Sequence, residues 1–158
     1  MLTEQEHEVL AQELERYPDR RAASIDCLVR LQESRGWLSD QALADLAPLV
    51  DMSVHELDAL ATFYNRLHRR PVGRRVIRVC DSVSCWIMGS DALCEALRER
   101  LGIELGGTTG DGRYTLLTAQ CLGACEHAPV LAIDDDQHGG LEPERLAERL
   151  DEVLDGHD

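Results

Sequence analysis

Two close cysteine pairs constrain this chain more than anything else in it: Cys80-Asp-Ser-Val-Ser-Cys85 and Cys121-Leu-Gly-Ala-Cys125, with 35 residues between them. An apolar, β-branched run, Val76, Ile77 and Val79, leads into the first pair and reads as a strand ending at Cys80. Tyr114, Leu116 and Leu117 read as a second strand ahead of Cys121. Pairs presented by adjacent loops at strand ends converge on one site. Four thiolates hold a [2Fe–2S] cluster, a [4Fe–4S] cluster or a Zn²⁺ ion, and the count does not choose among them. Spacing adds something: structural zinc favours two intervening residues, although up to four occur, whereas a four-residue gap is also found in two-iron ferredoxins. A dithiol–disulfide exchanger is disfavoured because the chain has no C-x-x-C motif.

The neighbours of the pairs favour a redox cluster over a structural ion. Gly123 and Gly89 allow backbone N–H groups to come close to sulfur, where hydrogen bonds adjust potential. Val83, Trp86, Ile87 and Leu122 are apolar and are expected to shield the site. Shielding favours the less charged, oxidised form, so a low potential is expected. The other two cysteines, Cys27 and Cys94, fall on expected helices without close cysteine partners and are read as core residues.

Residues 1–70 read as a small helical bundle. Thr3 with Glu6 makes a capping box, after which Val9, Leu10 and Leu14 recur at helical spacing until Pro18. A second helix is expected from about Arg21 to Ser34, burying Ile25, Leu28 and Leu31 and stopping at Gly36. Ser39 caps a short third helix carrying Leu43, Leu46 and Ala47. Ser53 with Glu56 opens a fourth, whose stripe runs Leu57, Leu60, Ala61, Tyr64, Leu67. The texture changes at Pro71 and Gly73. Beyond them, strands alternate with helices: a helix capped by Ser90 and stopped by Gly102, a glycine-rich loop over 106–112, a third strand at Val130, Leu131 and Ile133, and a last helix with Pro143 at its first position. The second half is therefore α/β or α+β.

Charge removes one class of function. Sixteen basic residues, all arginine, stand against 30 acidic ones for a net charge of −14, the wrong sign for a nucleic-acid binder. No apolar run approaches the roughly 18–20 residues that span a bilayer, and the first residues lack the layout of a secretory signal, so a soluble intracellular protein is expected. No GxGxxG, GxxxxGK[ST] or GxSxG pattern occurs, and the chain alone is expected to catalyse no bond chemistry.

Three further features have two readings each. Arg66, Arg69, Arg70, Arg74, Arg75 and Arg78 form either a docking strip for an acidic partner or a solvated helix end followed by outward strand positions. Asp134-Asp135-Asp136 with His138 reads as a surface turn rather than a hard-metal site, because calcium-loop spacing is missing. His127 is placed to donate a hydrogen bond near the cluster rather than to replace a cysteine, and Trp86 either shields the site or anchors packing.

The two pairs, Ala61-Thr62-Phe63-Tyr64-Asn65, Pro71-Val72-Gly73-Arg74, Ala128-Pro129 and Leu141-Glu142-Pro143-Glu144 together resemble the thioredoxin-like [2Fe–2S] ferredoxin family, the NuoE family of bacterial NADH:quinone oxidoreductase, respiratory complex I. The resemblance runs from about Arg21 to Leu154. It implies an α+β chain, a helical bundle over 1–70 followed by a thioredoxin-like domain over 71–158. It also implies that Cys80, Cys85, Cys121 and Cys125 hold one [2Fe–2S] cluster, which exchanges electrons with FMN on a partner flavoprotein subunit that binds NADH. Other peripheral-arm subunits are implied as further partners, with the assembly on the cytoplasmic side of the inner membrane. Related subunits serve NAD-linked hydrogenases and formate dehydrogenases. Glu142, Asp134 and Cys94 depart from the family's common residues, and none is among the four cysteines. Outside the resemblance, a zinc-stabilised interaction module and a freely diffusing ferredoxin are the competing expectations.

Overall fold

Thr3 closes the first turn of helix α1 (Glu4–Glu15): its hydroxyl accepts the Glu6 N–H at 3.2 Å while the Glu6 carboxylate accepts the Thr3 N–H at 2.8 Å. The same reciprocal cap, Ser53 with Glu56, opens α4 (Val54–Phe63). Between them lie α2 (Ser24–Arg35), entered through a 3₁₀ turn at Arg20–Ala23, and α3 (Asp40–Leu46) under Ser39, whose hydroxyl accepts the Ala42 N–H. The structure is a computed structural model that describes residues 1–141 and 146–156. It divides into two compact units, Met1–Pro71 and Val72–Asp158.

In the first unit α2 packs against α1, α3 and α4. Leu10, Leu28, Leu31, Leu43, Leu46 and Leu57 meet in its core with Cys27 among them, all essentially without solvent contact. Helix α4 stops at Phe63, short of the stripe that continues to Leu67. Thr62-Phe63-Tyr64-Asn65 is a run of weak helix formers, and Tyr64 turns extended at φ −85°, ψ 114°. Leu67 still enters the core, from the turn that follows.

The second unit is built on a sheet of order β2-β1-β3-β4. Strand β1 (Arg75–Cys80) lies parallel to β2 (Tyr114–Ala119), with Arg75 opposite Tyr114 and Cys80 opposite Ala119. β3 (Leu131–Ile133) pairs antiparallel with the other edge of β1, and β4 (Asp136–His138) antiparallel with β3. A central position explains why every β1 residue except Arg75 is buried. Between β1 and β2 run α5 (Val83–Ile87) and α6 (Ser90–Leu101), and α7 (Leu146–Asp155) comes last. Ile77, Val79, Leu93, Leu97, Leu116, Leu131, Leu150 and Val153 form the core between sheet and helices. A parallel βαβ unit followed by an antiparallel hairpin and a helix is the thioredoxin-like order, so the chain is α+β with its helices gathered at the N-terminus. Among the described residues no helix is long and apolar enough to cross a membrane.

Four local expectations are corrected. Ser90 is the first residue of α6 rather than its cap; Gly89, at φ 103°, takes the cap position. α5 and β4 are additional elements. The acidic run is a turn only at Asp134-Asp135, and Asp136 begins β4. Glu142, Pro143 and Glu144 lie outside the described residues.

Candidate functional site

Strand β1 delivers Cys80 at its last position, where its N–H donates to the Val130 carbonyl at 3.0 Å. The next residue, Asp81, donates to Ala119 on β2 at 3.0 Å, so the strand's exit is held from both sides. After Ser82 the chain turns into α5, which folds Cys85 back onto Cys80 with a side-chain hydrogen bond between the two thiols. Both are only 1% exposed and pack with Ala128 and Val130, with Leu122 and Ala124 against them.

The second pair comes from the loop after β2. Gly123, at φ 86°, adopts the left-handed turn that brings Cys121 and Cys125 together, with their sulfurs 3.4 Å apart. Its N–H points at the Cys121 Sγ at 3.4 Å. Cys125 opens a 3₁₀ turn, Cys125–His127. The pairs are also joined to each other: the Ser84 side chain, next to Cys85, hydrogen-bonds Cys125.

The electrostatics follow from this placement. Burial pushes the Cys85 thiol up to about 11, helped by the bond to Cys80 and opposed by the Val130 backbone. The Gly123 N–H draws Cys121 below the ordinary thiol value, and the bond to Cys121 raises Cys125. Exposed Cys121 thus carries the readiest thiolate, with Cys125 as its protonated partner. A buried thiol such as Cys85 gives up its proton when a metal replaces it. Among the described residues no three or more of His, Cys, Asp and Glu gather as a single-ion site. The thiols stand instead as two pairs, an arrangement that fits a binuclear cluster taking two thiolates on each iron.

Several expected neighbours are placed differently. Gly89 gives its N–H to the Trp86 carbonyl at 3.2 Å, so it shapes a turn and not the cysteine surroundings. Val83, Trp86 and Ile87 line the outside of α5 at 66%, 59% and 70% exposure, and only Leu122 packs on the buried cysteines. Trp86 donates to Asp91 at 3.1 Å. The His127 ring is turned to solvent beside Glu126. The arginines do not act as one strip. Arg69 bonds Asp40, Asp58 and the Leu38 carbonyl, Arg75 pairs with Asp134, and Arg78 is buried with a bond to the Asp134 carbonyl. Asp134 is consequently a hairpin residue, its carboxylate also accepting the Val76 N–H at 2.9 Å. Cys27 is fully buried and pushed up to about 11 by desolvation, and half-buried Cys94 packs on the sheet core.

Residues 10–154 match the model of a family described as thioredoxin-like [2Fe-2S] ferredoxin. The chain belongs to that family. It is 43% identical over 151 residues to the NuoE-type subunit of the NADH-quinone oxidoreductase of Pseudomonas aeruginosa, covering 96% of this chain and 91% of that one. To the corresponding subunit of Escherichia coli K12 it is 43% identical over 150 residues, covering 95% and 90%. Among solved structures it resembles part of an NAD⁺-reducing [NiFe]-hydrogenase, with a TM-score of 0.64 and 28% identity, covering 80% of this chain but only 22% of the hydrogenase chain.

In this member of the thioredoxin-like [2Fe–2S] family, three further residues near the thiols carry no motif that singles them out. Ser84 and Val130 hydrogen-bond cysteines, and Gln137 donates to the Leu122 carbonyl between Cys121 and Cys125. Ser84 lies inside the first cysteine motif, so its adjacency to Cys85 is a signal of a kind. Val130 acts through its backbone and Gln137 from another strand, and neither leaves a mark in the sequence.

Proposed function

We propose that this chain is the electron-transfer subunit of an NADH dehydrogenase complex, with Cys80, Cys85, Cys121 and Cys125 holding one [2Fe–2S] cluster that exchanges electrons with FMN on an NADH-binding partner subunit. The observation that carries this reading is the meeting of two thiol pairs, one buried and one exposed, at the ends of two parallel strands. When bound, such a cluster supplies a one-electron carrier suited to dividing the electron pair of a reduced flavin.

The chain's own residues set its conditions. Cys80 and Cys85 anchor the inner side against Ala128 and Val130, where solvent is excluded. Cys121 and Cys125 form the outer side, open to a partner. The Gly123 N–H, the Ser84 side chain and the Val130 backbone put donors on three sulfurs, which favours the more negative, reduced state relative to unbonded thiolates. Localisation on the cytoplasmic side of the inner membrane, through the complex, belongs to the same reading. The likeness to the NAD⁺-reducing hydrogenase supports a second one, an equivalent subunit of an NAD-linked hydrogenase.

Iron, sulfide and zinc analysis of anaerobically purified protein, with electron paramagnetic resonance before and after dithionite, tests the proposal. Two irons and two sulfides per chain, a signal only on reduction, and loss of both in Cys85→Ala are expected. One zinc per chain and no signal after attempted reconstitution would make this a zinc-stabilised module. Co-purification with a flavoprotein, in contrast to a freely diffusing ferredoxin, and the presence or absence of nickel in that assembly then decide the host complex.

A further inference from the structure

The second cysteine loop is gripped from strand β4 at two points. Gln137, in the middle of β4, donates its side-chain amide to the Leu122 carbonyl at 2.8 Å. Two residues past the strand, the Gly140 N–H donates to the His127 carbonyl at 2.7 Å. Gly139 lies so close that a Cβ there would stand 2.5 Å from the His127 Cβ.

The first grip has a specific consequence. The Leu122 C=O and the Gly123 N–H are opposite ends of one planar trans peptide unit, so fixing the carbonyl fixes where the N–H points. That N–H is the one aimed at the Cys121 sulfur. Gly123 has no Cβ to restrict rotation of the unit from its other side, and nothing lies within 4 Å of where one would be. The Gln137 hydrogen bond is therefore the restraint on this peptide that comes from outside the loop. Its side chain is exposed and sits opposite Ala132 in the β3–β4 register, so it fills no core.

We propose that Gln137 is a positioning residue for the cluster: by holding the Leu122–Gly123 peptide it keeps the Gly123 N–H on the Cys121 sulfur and so raises the reduction potential. The proposal rests on Cys121 being a ligand. An N–H donor on sulfur offsets the charge added by reduction, so the potential is higher with it than without.

The test compares the full-length wild-type chain with Gln137→Met, which keeps the side chain's length and removes the donor. In a titration followed by electron paramagnetic resonance, the variant should show a reduced-to-oxidised ratio three- to tenfold smaller at the same applied potential, tenfold being about 59 mV for one electron. In the cluster-free, reduced chain, hydrogen exchange of the Gly123 amide should be faster, while the thermal midpoint stays unchanged. Equal midpoint potentials with equal Gly123 exchange overturn the proposal. If the variant takes up no cluster, Gly123 exchange alone decides, faster exchange supporting the restraint and equal exchange refuting it. A wild-type cluster that survives Cys121→Ala unaltered overturns the ligand assignment instead, and the proposal with it.

Discussion

Replacing Gly139 by alanine asks whether the contact between the end of β4 and the cysteine loop is as tight as the geometry requires. Gly139 does not need the left-handed region; it needs space. A Cβ there would lie 2.5 Å from the His127 Cβ and 2.7 Å from the His127 carbonyl oxygen, against ordinary contacts of 3.4–4 Å. Neither neighbour is the free end of a side chain, so the two segments must part by about 1 Å, an overpacking that costs about 1–3 kcal/mol. Parting them also stretches the 2.7 Å bond from Gly140 to His127, worth about 0.5–1.5 kcal/mol. The expected loss is about 2–4 kcal/mol, or a urea midpoint lower by about 1.5 M for a slope near 2 kcal/mol per M. Gly123→Ala is the internal control, since nothing lies within 4 Å of its would-be Cβ and its cost is the φ of 86° alone, about 1–2 kcal/mol. Urea unfolding followed by circular dichroism on both variants gives the comparison. A Gly139→Ala loss under about 0.5 kcal/mol, or one smaller than that of Gly123→Ala, would refute the reasoning.

In the helical unit, Arg35 bonds hold the Glu6 carboxyl at about 2, against its ordinary 4.5. The stability this group contributes is thus complete above pH 4.5 and is lost as pH falls toward 2, so wild-type and Glu6→Gln melting temperatures should converge across that window; parallel curves would show that the pair contributes nothing. In the cluster-free, reduced chain at neutral pH, iodoacetamide should label Cys121 first, being exposed with a lowered pKa, and the buried Cys27 and Cys85, both near 11, last. Peptide mapping that finds Cys27 modified as fast as Cys121 would contradict the burial and the electrostatics together.

Much of the helical half is written locally. The caps at Thr3, Ser39 and Ser53 and the stop at Gly36 are contacts between residues two to four apart, and each appears where the sequence places it. The strand into Cys80 is equally local, because Val76, Ile77 and Val79 favour extended backbone wherever they pair. α5 was not legible, since five residues with a serine and a cysteine among them carry no helical periodicity. Nor was β4: Asp136-Gln137-His138 is polar throughout and becomes a strand only because β3 offers it a ladder.

The types of residue available to the site, four thiols in two close pairs with a glycine inside the second, follow from the chain's order alone, because residues four or five apart stay near one another in almost any conformation. Which sulfur is buried, which N–H meets it and what holds that N–H in place depend on contacts between segments distant in the chain. Cys80 is covered because β1 is the central strand, Cys85 because α5 folds back, and the Cys121 loop is held by Gln137 and Gly140 from a strand that exists only when the sheet is complete. The six clustered arginines show the same division. Their proximity in sequence suggests one charged surface, but folding sends Arg69, Arg75 and Arg78 to different acidic and carbonyl partners, since a buried cation must find a counter-charge or an acceptor wherever the backbone has carried it.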